Sequence, residues 1–172
     1  MPQSYFALFN LEQRFTLSMA DLEVAYRDLA TRVHPDRHAQ AQAVQQREAL
    51  SLAANANEAY RTLRKPVLRA RHLLALRGVH SDEGRAAMPH EFLVEQMEWR
   101  DALGDARTAR DAAALRSLAA TVHGRAAALL ARLEMQMDIL QDYSAARDTV
   151  HEFMFVEKLA ADIDDSLAHL ED

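Results

Sequence analysis

The sequence predicts an all-α protein made of an N-terminal helical hairpin and a C-terminal three-helix bundle. Three observations carry the prediction. Only four glycines and four prolines interrupt 172 residues, while alanine, leucine, arginine and glutamate, all good helix formers, are plentiful. Apolar residues recur at i, i+4, i+7 spacing through several long stretches, the signature of helices with one buried face. A break over residues 78–90, with two glycines, a proline and little apolar pattern, separates two groups of such stretches.

Composition narrows the function classes. Apolar residues make up 49%, enough for a packed core. No run reaches the length of a membrane span, and the N-terminus lacks the pattern of a secretory or organelle leader, so a cytoplasmic protein is expected. The chain has no cysteine, which excludes disulfides, thiol catalysis and cysteine ligation of zinc or iron–sulfur clusters by its own residues. Residues 1–80 hold 11 Lys/Arg against 7 Asp/Glu, whereas residues 81–172 hold 9 against 19. A mildly basic half joined to a strongly acidic one suggests two modules with different partners, and the net charge of −6 argues against nucleic acid.

Taken in order, residues 4–10 (Ser4 to Asn10) are an aromatic-rich short helix or turn, too short to stand alone, so they should dock on the helices after them. Ser18 is a fitting N-cap for the next helix, with Asp21 three residues on and Leu17 and Leu22 placed as a hydrophobic staple. Leu22, Tyr26, Leu29 and Val33 form its core stripe, leaving Arg27 and Arg32 in solvent. A long helix resumes near Gln40 and runs to about Leu63, with Leu52, Ala56, Ala59 and Leu63 as its stripe, and Pro66 ends it. A leucine-rich helix comes next over 67–77, closed by Gly78. Beyond the linker, helices are expected from about Glu91 to Arg107, from Asp111 to Tyr143 and from Ala145 to Leu170. Val122, Ala126, Leu129, Leu133, Met137 and Leu140 stay in register along the second, and Val156, Leu159, Ile163, Leu167 and Leu170 along the third, so the three read as an antiparallel bundle. The expected units are therefore 1–77, a linker over 78–90, and 91–172.

Two places carry more than structure. The first is the corner Val33-His34-Pro35-Asp36-Arg37-His38 between two amphipathic helices. His34 precedes a proline, which pushes its backbone out of the helical region, and Pro35 fixes its own φ without offering an N–H. Asp36 is then held on a stiff bend, ready to be offered to a partner's arginine or backbone at little ordering cost. An ordinary turn would use the same residue types. The second is the helix after the linker. Phe92, Gln96, Trp99 and Leu103 fall on one side, while Leu93, Val94 and Met97 point away from it among Glu98, Asp101 and Asp105. An apolar patch rimmed by acids suits a basic, partly apolar partner, unless another helix of the bundle covers it. Phe155, off the stripe of the last helix, joins the patch if the fold brings it near.

The eight histidines offer no metal site. His34 and His38 have a zinc-ligand spacing, but Pro35 breaks the helix that spacing requires. His72, His80, His90, His123, His151 and His169 show no carboxylate–histidine pattern on one face and read as surface or linker residues.

His34-Pro35-Asp36, the aromatic N-terminal helix, the capped second helix and the run Asn57-Glu58-Ala59-Tyr60-Arg61-Thr62-Leu63 together resemble a J domain. With Lys65-Pro66-Val67-Leu68-Arg69-Ala70 and the helix Phe92-Leu93-Val94-Glu95-Gln96-Met97-Glu98, the chain resembles the HscB family, J-domain co-chaperones of iron–sulfur cluster assembly. That resemblance implies a co-chaperone and not an enzyme, with no cofactor and no metal. The J domain would stimulate ATP hydrolysis by the DnaK-type chaperone HscA, through His34, Pro35 and Asp36 with Arg27, Arg32 and Arg37 as basic contacts. The C-terminal bundle would hold the cluster scaffold protein IscU through Leu93, Val94, Met97, Glu98, Asp101, Asp105 and Phe155. Neither a nucleic acid nor a membrane partner is implied. Three departures stand out: the second helix intersperses its arginines with Asp21, Glu23 and Asp28, Gly104 lies inside the docking helix, and the cysteine-based zinc module of some eukaryotic relatives has no counterpart. A J protein for a different client, or a helical adaptor in which His-Pro-Asp is merely a turn, are the rival readings.

Overall fold

A computed structural model describes residues 4–34, 42–79 and 88–171. The described residues are helical with no strand, and they divide into two compact units, Met1–Val79 and His80–Asp172. No helix among them is long and apolar enough to cross a membrane.

In the first unit, α1 (Tyr5–Leu8) is a single turn whose Ser4 hydroxyl accepts from the Ala7 N–H. It has almost no helical stability of its own. Its place is set by Phe6, which is fully buried, and by Phe9 and Phe15 beside it in the core. The helix α2 (Met19–Arg32) starts where expected, with the Ser18 hydroxyl accepting from Asp21 N–H at 3.2 Å, and it stops at Val33. It forms an antiparallel hairpin with α3 (Ala43–Arg64). Leu22, Leu29 and Val33 meet a face of α3 built from Ala49, Ala56, Ala59 and Leu63, whose small side chains let the backbones approach closely. Tyr26 is only half-buried. Its ring stacks on Tyr60 at 4.3 Å, and its hydroxyl donates to Asn57 Oδ1 at 2.8 Å.

Pro66 does not simply end α3. It is the first residue of α4 (Pro66–Leu76), a position where its missing N–H costs nothing. Arg69 of α4 is buried, donating to the Leu63 carbonyl oxygen at 2.6 Å with its guanidinium 5.0 Å over the Phe15 ring. A cation against the C-terminal carbonyls of α3 is favoured by the helix dipole. Gly78 closes α4 at φ +75°, with Val79 N–H donating to Leu74 and Gly78 N–H to Ala75, a Schellman cap. The linker expected over 78–90 thus has its ends tied to α4 and to the start of the next helix, and residues 80–87 lie outside the described residues.

His72 corrects the expectation of a surface residue. It is partly buried on α4, its ring stacked on Tyr5 at 4.3 Å, and its Nε2 accepts from the Tyr5 N–H at 3.1 Å. His151 is likewise half-buried and not a surface residue.

The second unit is an antiparallel bundle of α5 (His90–Ala109), α6 (Ala112–Glu134) and α7 (Tyr143–Glu171). Asp111 caps α6 by accepting from Ala113 and Ala114 N–H at 2.9 and 3.0 Å. Val122, Leu129, Leu133 and Met137 are buried as their register requires, but Leu140 is 63% exposed. The helix does not continue to Tyr143. Met135–Ile139 forms a π-helical turn, whose wider winding swings the next residue off the stripe, and Gln141 (φ 54°) turns the chain into α7. Glu152 of α7 is buried on the core side between Arg125 and Arg132 of α6 at 3.3 and 3.2 Å, and Arg125 also reaches Glu95 of α5 at 3.5 Å. One carboxylate therefore joins two helices, and through Arg125 a third.

Removing that carboxylate with Glu152→Ala leaves two guanidinium groups without their shared acid. Because both arginines reach water the loss is about 1–3 kcal/mol, below that of a fully buried pair, and urea unfolding reads it directly. In the first unit, burial holds the His72 pKa below its ordinary value. The folded unit therefore binds fewer protons than the unfolded chain, so this contribution to stability is complete above about pH 6.5 and is lost as the pH falls through the lowered folded value. Comparing melting at about pH 7.5 and about pH 5.5, His72→Gln should show a smaller drop than the wild-type chain.

Candidate functional site

The corner expected to act on a chaperone falls in the stretch that joins α2 to α3. Pro35, Asp36, Arg37 and His38 fall outside the described residues. The residues leading into them are described. Arg27, Ala30, Thr31 and His34 line one shallow surface depression, so His34, just past the end of α2, lies on the same side as Arg27. Arg32 stands on a different side, bordering a depression with Val33, Gln45 and Glu48. Arg27 is exposed and pairs with Glu23 one turn earlier at 3.2 Å. Exposed i, i+4 pairs are weak, so a partner's carboxylate can compete for this arginine at little cost.

The second candidate surface is on α5. Its inward side carries Phe92, Trp99, Leu103 and Ala106, all buried. The Trp99 ring meets Phe92 edge-on at 6.4 Å within the same helix, and Arg125 of α6 lies 5.5 Å over the Phe92 ring, which ties this rotation of the helix to the bundle. The outward side is what that rotation leaves behind. Leu93, Val94 and Met97 are 43%, 42% and 66% exposed. Glu98, Asp101 and Asp105 are exposed on the same helix. Among the described residues, no neighbouring helix of this unit covers the apolar side chains. An uncovered apolar cluster with an acidic fringe is a surface suited to a protein partner.

Phe155 is half-buried on α7. Its ring meets Phe92 edge-on at 6.0 Å and sits beneath the Arg100 guanidinium at 5.0 Å. Helical geometry puts Arg100 on the same flank of α5 as Leu93 and Met97, so Phe155 adjoins that flank. Sequence pattern alone singles out neither Arg100 nor the Glu95–Arg125–Glu152 chain beneath the ridge. Glu152 does leave a trace in the sequence: it stands four residues before Val156, on a face that is otherwise apolar, where a lone acid requires a partner.

The chain is similar to known proteins over nearly its whole length. A family model described as "HSCB C-terminal oligomerisation domain" matches residues 88–164. A "Co-chaperone protein HscB homolog" of Aromatoleum aromaticum is 42% identical over 172 residues, covering 99% of this chain and 97% of the relative. One of Bordetella pertussis is 47% identical over 160 residues, covering 92% and 93%. Among solved structures, the chaperone HscB from Vibrio cholerae superposes with a TM-score of 0.87 at 34% identity, covering 98% of this chain and 99% of that one.

The two sides of α5 should answer differently to truncation. Leu93→Ala and Met97→Ala should shift unfolding free energy by no more than about 0.5 kcal/mol, as for other exposed positions. Trp99→Ala should cost about 3–5 kcal/mol. Urea denaturation monitored by circular dichroism separates the two cases, and equal losses would mean the ridge is packed.

Proposed function

This chain belongs to the HscB family of co-chaperones, and on that premise we propose that it couples a DnaK-type chaperone to an iron–sulfur scaffold protein. Residues 1–77 act as the J domain on the chaperone HscA. Residues 91–172 hold the scaffold IscU and present it. The observation that carries this reading is the exposed ridge of Leu93, Val94 and Met97, fringed by Glu98, Asp101 and Asp105, on a helix whose other side is locked in the core.

The mechanism needs no covalent chemistry from this chain. It binds one state of the chaperone better than another and shifts the chaperone's population toward hydrolysis. Asp36, on its proline-stiffened corner, supplies a charge-assisted hydrogen bond in that state, with His34 beside it and Arg27, Arg32 and Arg37 as basic contacts. The scaffold docks its apolar surface on the ridge, with Phe155 at one edge. The chain's lack of cysteine suits this role, since a carrier without thiols does not compete with its client for the metal.

A different client for the ridge is the main rival. The matched family model's own description supplies another, self-association through residues 88–164. Sedimentation of the isolated chain decides that reading, and capture of the scaffold with and without Leu93→Ala and Met97→Ala decides the former.

Two measurements test the proposal. Asp36→Ala should abolish stimulation of the chaperone's single-turnover ATPase with the fold intact, a loss of roughly 1.5–3 kcal/mol, or about ten- to a hundredfold. Leu93→Ala, Met97→Ala and Phe155→Ala should each weaken scaffold binding by calorimetry while leaving ATPase stimulation by the chain alone unchanged. Retention of stimulation in Asp36→Ala would reduce the corner to a simple turn.

A further inference from the structure

Helix α5 contains a glycine that its own unit does not require. The backbone at Gly104 is not in the left-handed region, and a Cβ added there would meet no atom within 4 Å. A glycine inside a helix is less favourable than alanine there. Gly124 in α6 is open in the same way, so freedom from crowding carries no weight by itself. Gly104 differs in what it borders.

Between α5 and α7 runs a groove of about 230 Å³. Its floor is apolar, with Leu103 and Leu159 buried and Phe155 half-buried. Its rim is basic, formed by Arg100, Arg107 and Lys158 against a single acid, Asp162. Residues 81–172 contain only nine Lys/Arg against 19 Asp/Glu, and three of those nine line this one groove. Arg107 donates to Ser166 Oγ at 2.8 Å and to the Asp162 carbonyl oxygen at 2.9 Å, both uncharged acceptors, which hold the guanidinium in place without neutralising it. Arg100 is held over the Phe155 ring. The result is a preorganised positive slot with a greasy base in a strongly negative unit.

We propose that this groove is the second contact of the docking surface and receives a segment of the scaffold partner in which an acidic side chain stands beside an apolar one. The proposal rests on the reading of the Leu93–Val94–Met97 ridge as the scaffold-binding surface. The ridge's acids, Glu98, Asp101 and Asp105, lie on the opposite flank of α5 from the groove. A partner must therefore present positive charge to one flank and negative charge to the other. Only one orientation satisfies both, and the reversed one sets like charges together. Gly104 keeps the slot open between the flanks, so the cost in helix propensity serves the complex and not the free fold.

The test is calorimetric titration of the full chain with the scaffold protein, comparing wild type with Gly104→Leu, Lys158→Glu and Met97→Ala. Gly104→Leu fills the slot from within and improves helix propensity. Binding should weaken about tenfold or more while the melting temperature stays level or rises. Lys158→Glu should weaken binding about three- to tenfold, the gap from wild type closing as salt is raised. If Met97→Ala weakens binding but both groove variants bind as wild type does, the groove is no contact and the inference fails alone. If Met97→Ala also binds as wild type does, the ridge reading fails and takes the groove with it.

Discussion

Everything that α5 offers to solvent depends on how it is held from below, and the Glu152 carboxylate is central to that hold. It sits on the core side of α7, bridged to Arg125 and Arg132 of α6, and Arg125 in turn reaches Glu95 and covers the Phe92 ring of α5. Apolar packing alone tolerates small rotations of a helix about its axis. The ion pair from Arg125 to Glu95 adds a preference for one rotation. With that rotation set, Phe92 and Trp99 are buried and Leu93, Val94 and Met97 have nowhere to go but outward. The exposed ridge is thus the far side of a helix whose core side is seated by Phe92 and Trp99 and tied along one edge by a partly exposed charge chain.

The two units solve different problems with the same material. The first packs a close helical hairpin, with alanines on α3 facing leucines on α2. The tyrosine pair Tyr26–Tyr60 adds a stacked contact at the partly exposed edge of that hairpin, where a polar tip is useful. The second needs a helix face that stays in water while carrying apolar side chains. It accepts that exposure among acids, which keeps the surface soluble when no partner is present.

Features set by near neighbours in the chain were legible from sequence. The Ser18 cap, the Gly78 terminus and the core stripe of α2 depend on a few adjacent residues, and all three stand in the structure except that Tyr26 of the stripe is only half-buried. The second apolar side of α5 was legible too, but whether a neighbouring helix covers it was not, and the exposure of Leu93, Val94 and Met97 answers that. What escaped depends on contacts distant in sequence or on departures from ideal winding. His72 meets Tyr5 across 67 positions, and nothing near either residue announces it. Leu140 fits a perfect 3.6-residue period, but the π-helical turn before it breaks that period. The groove beside Phe155 needs α5 and α7 side by side before its three cations come together.

The same π-helical turn bears on how the bundle tolerates change. A wide turn is the mark of one surplus residue lodged in a helix, and here it follows Glu134 at the end of α6, with Leu133 buried just before it and Met137 buried within it. Length added or removed beyond Ile139 falls after the last buried residue of this helix, Met137, so the phase of the long helix is set before it. The tip around Gln141 is accordingly the natural splice point for a reporter or a grafted loop, at a corner where the chain already absorbs a mismatch.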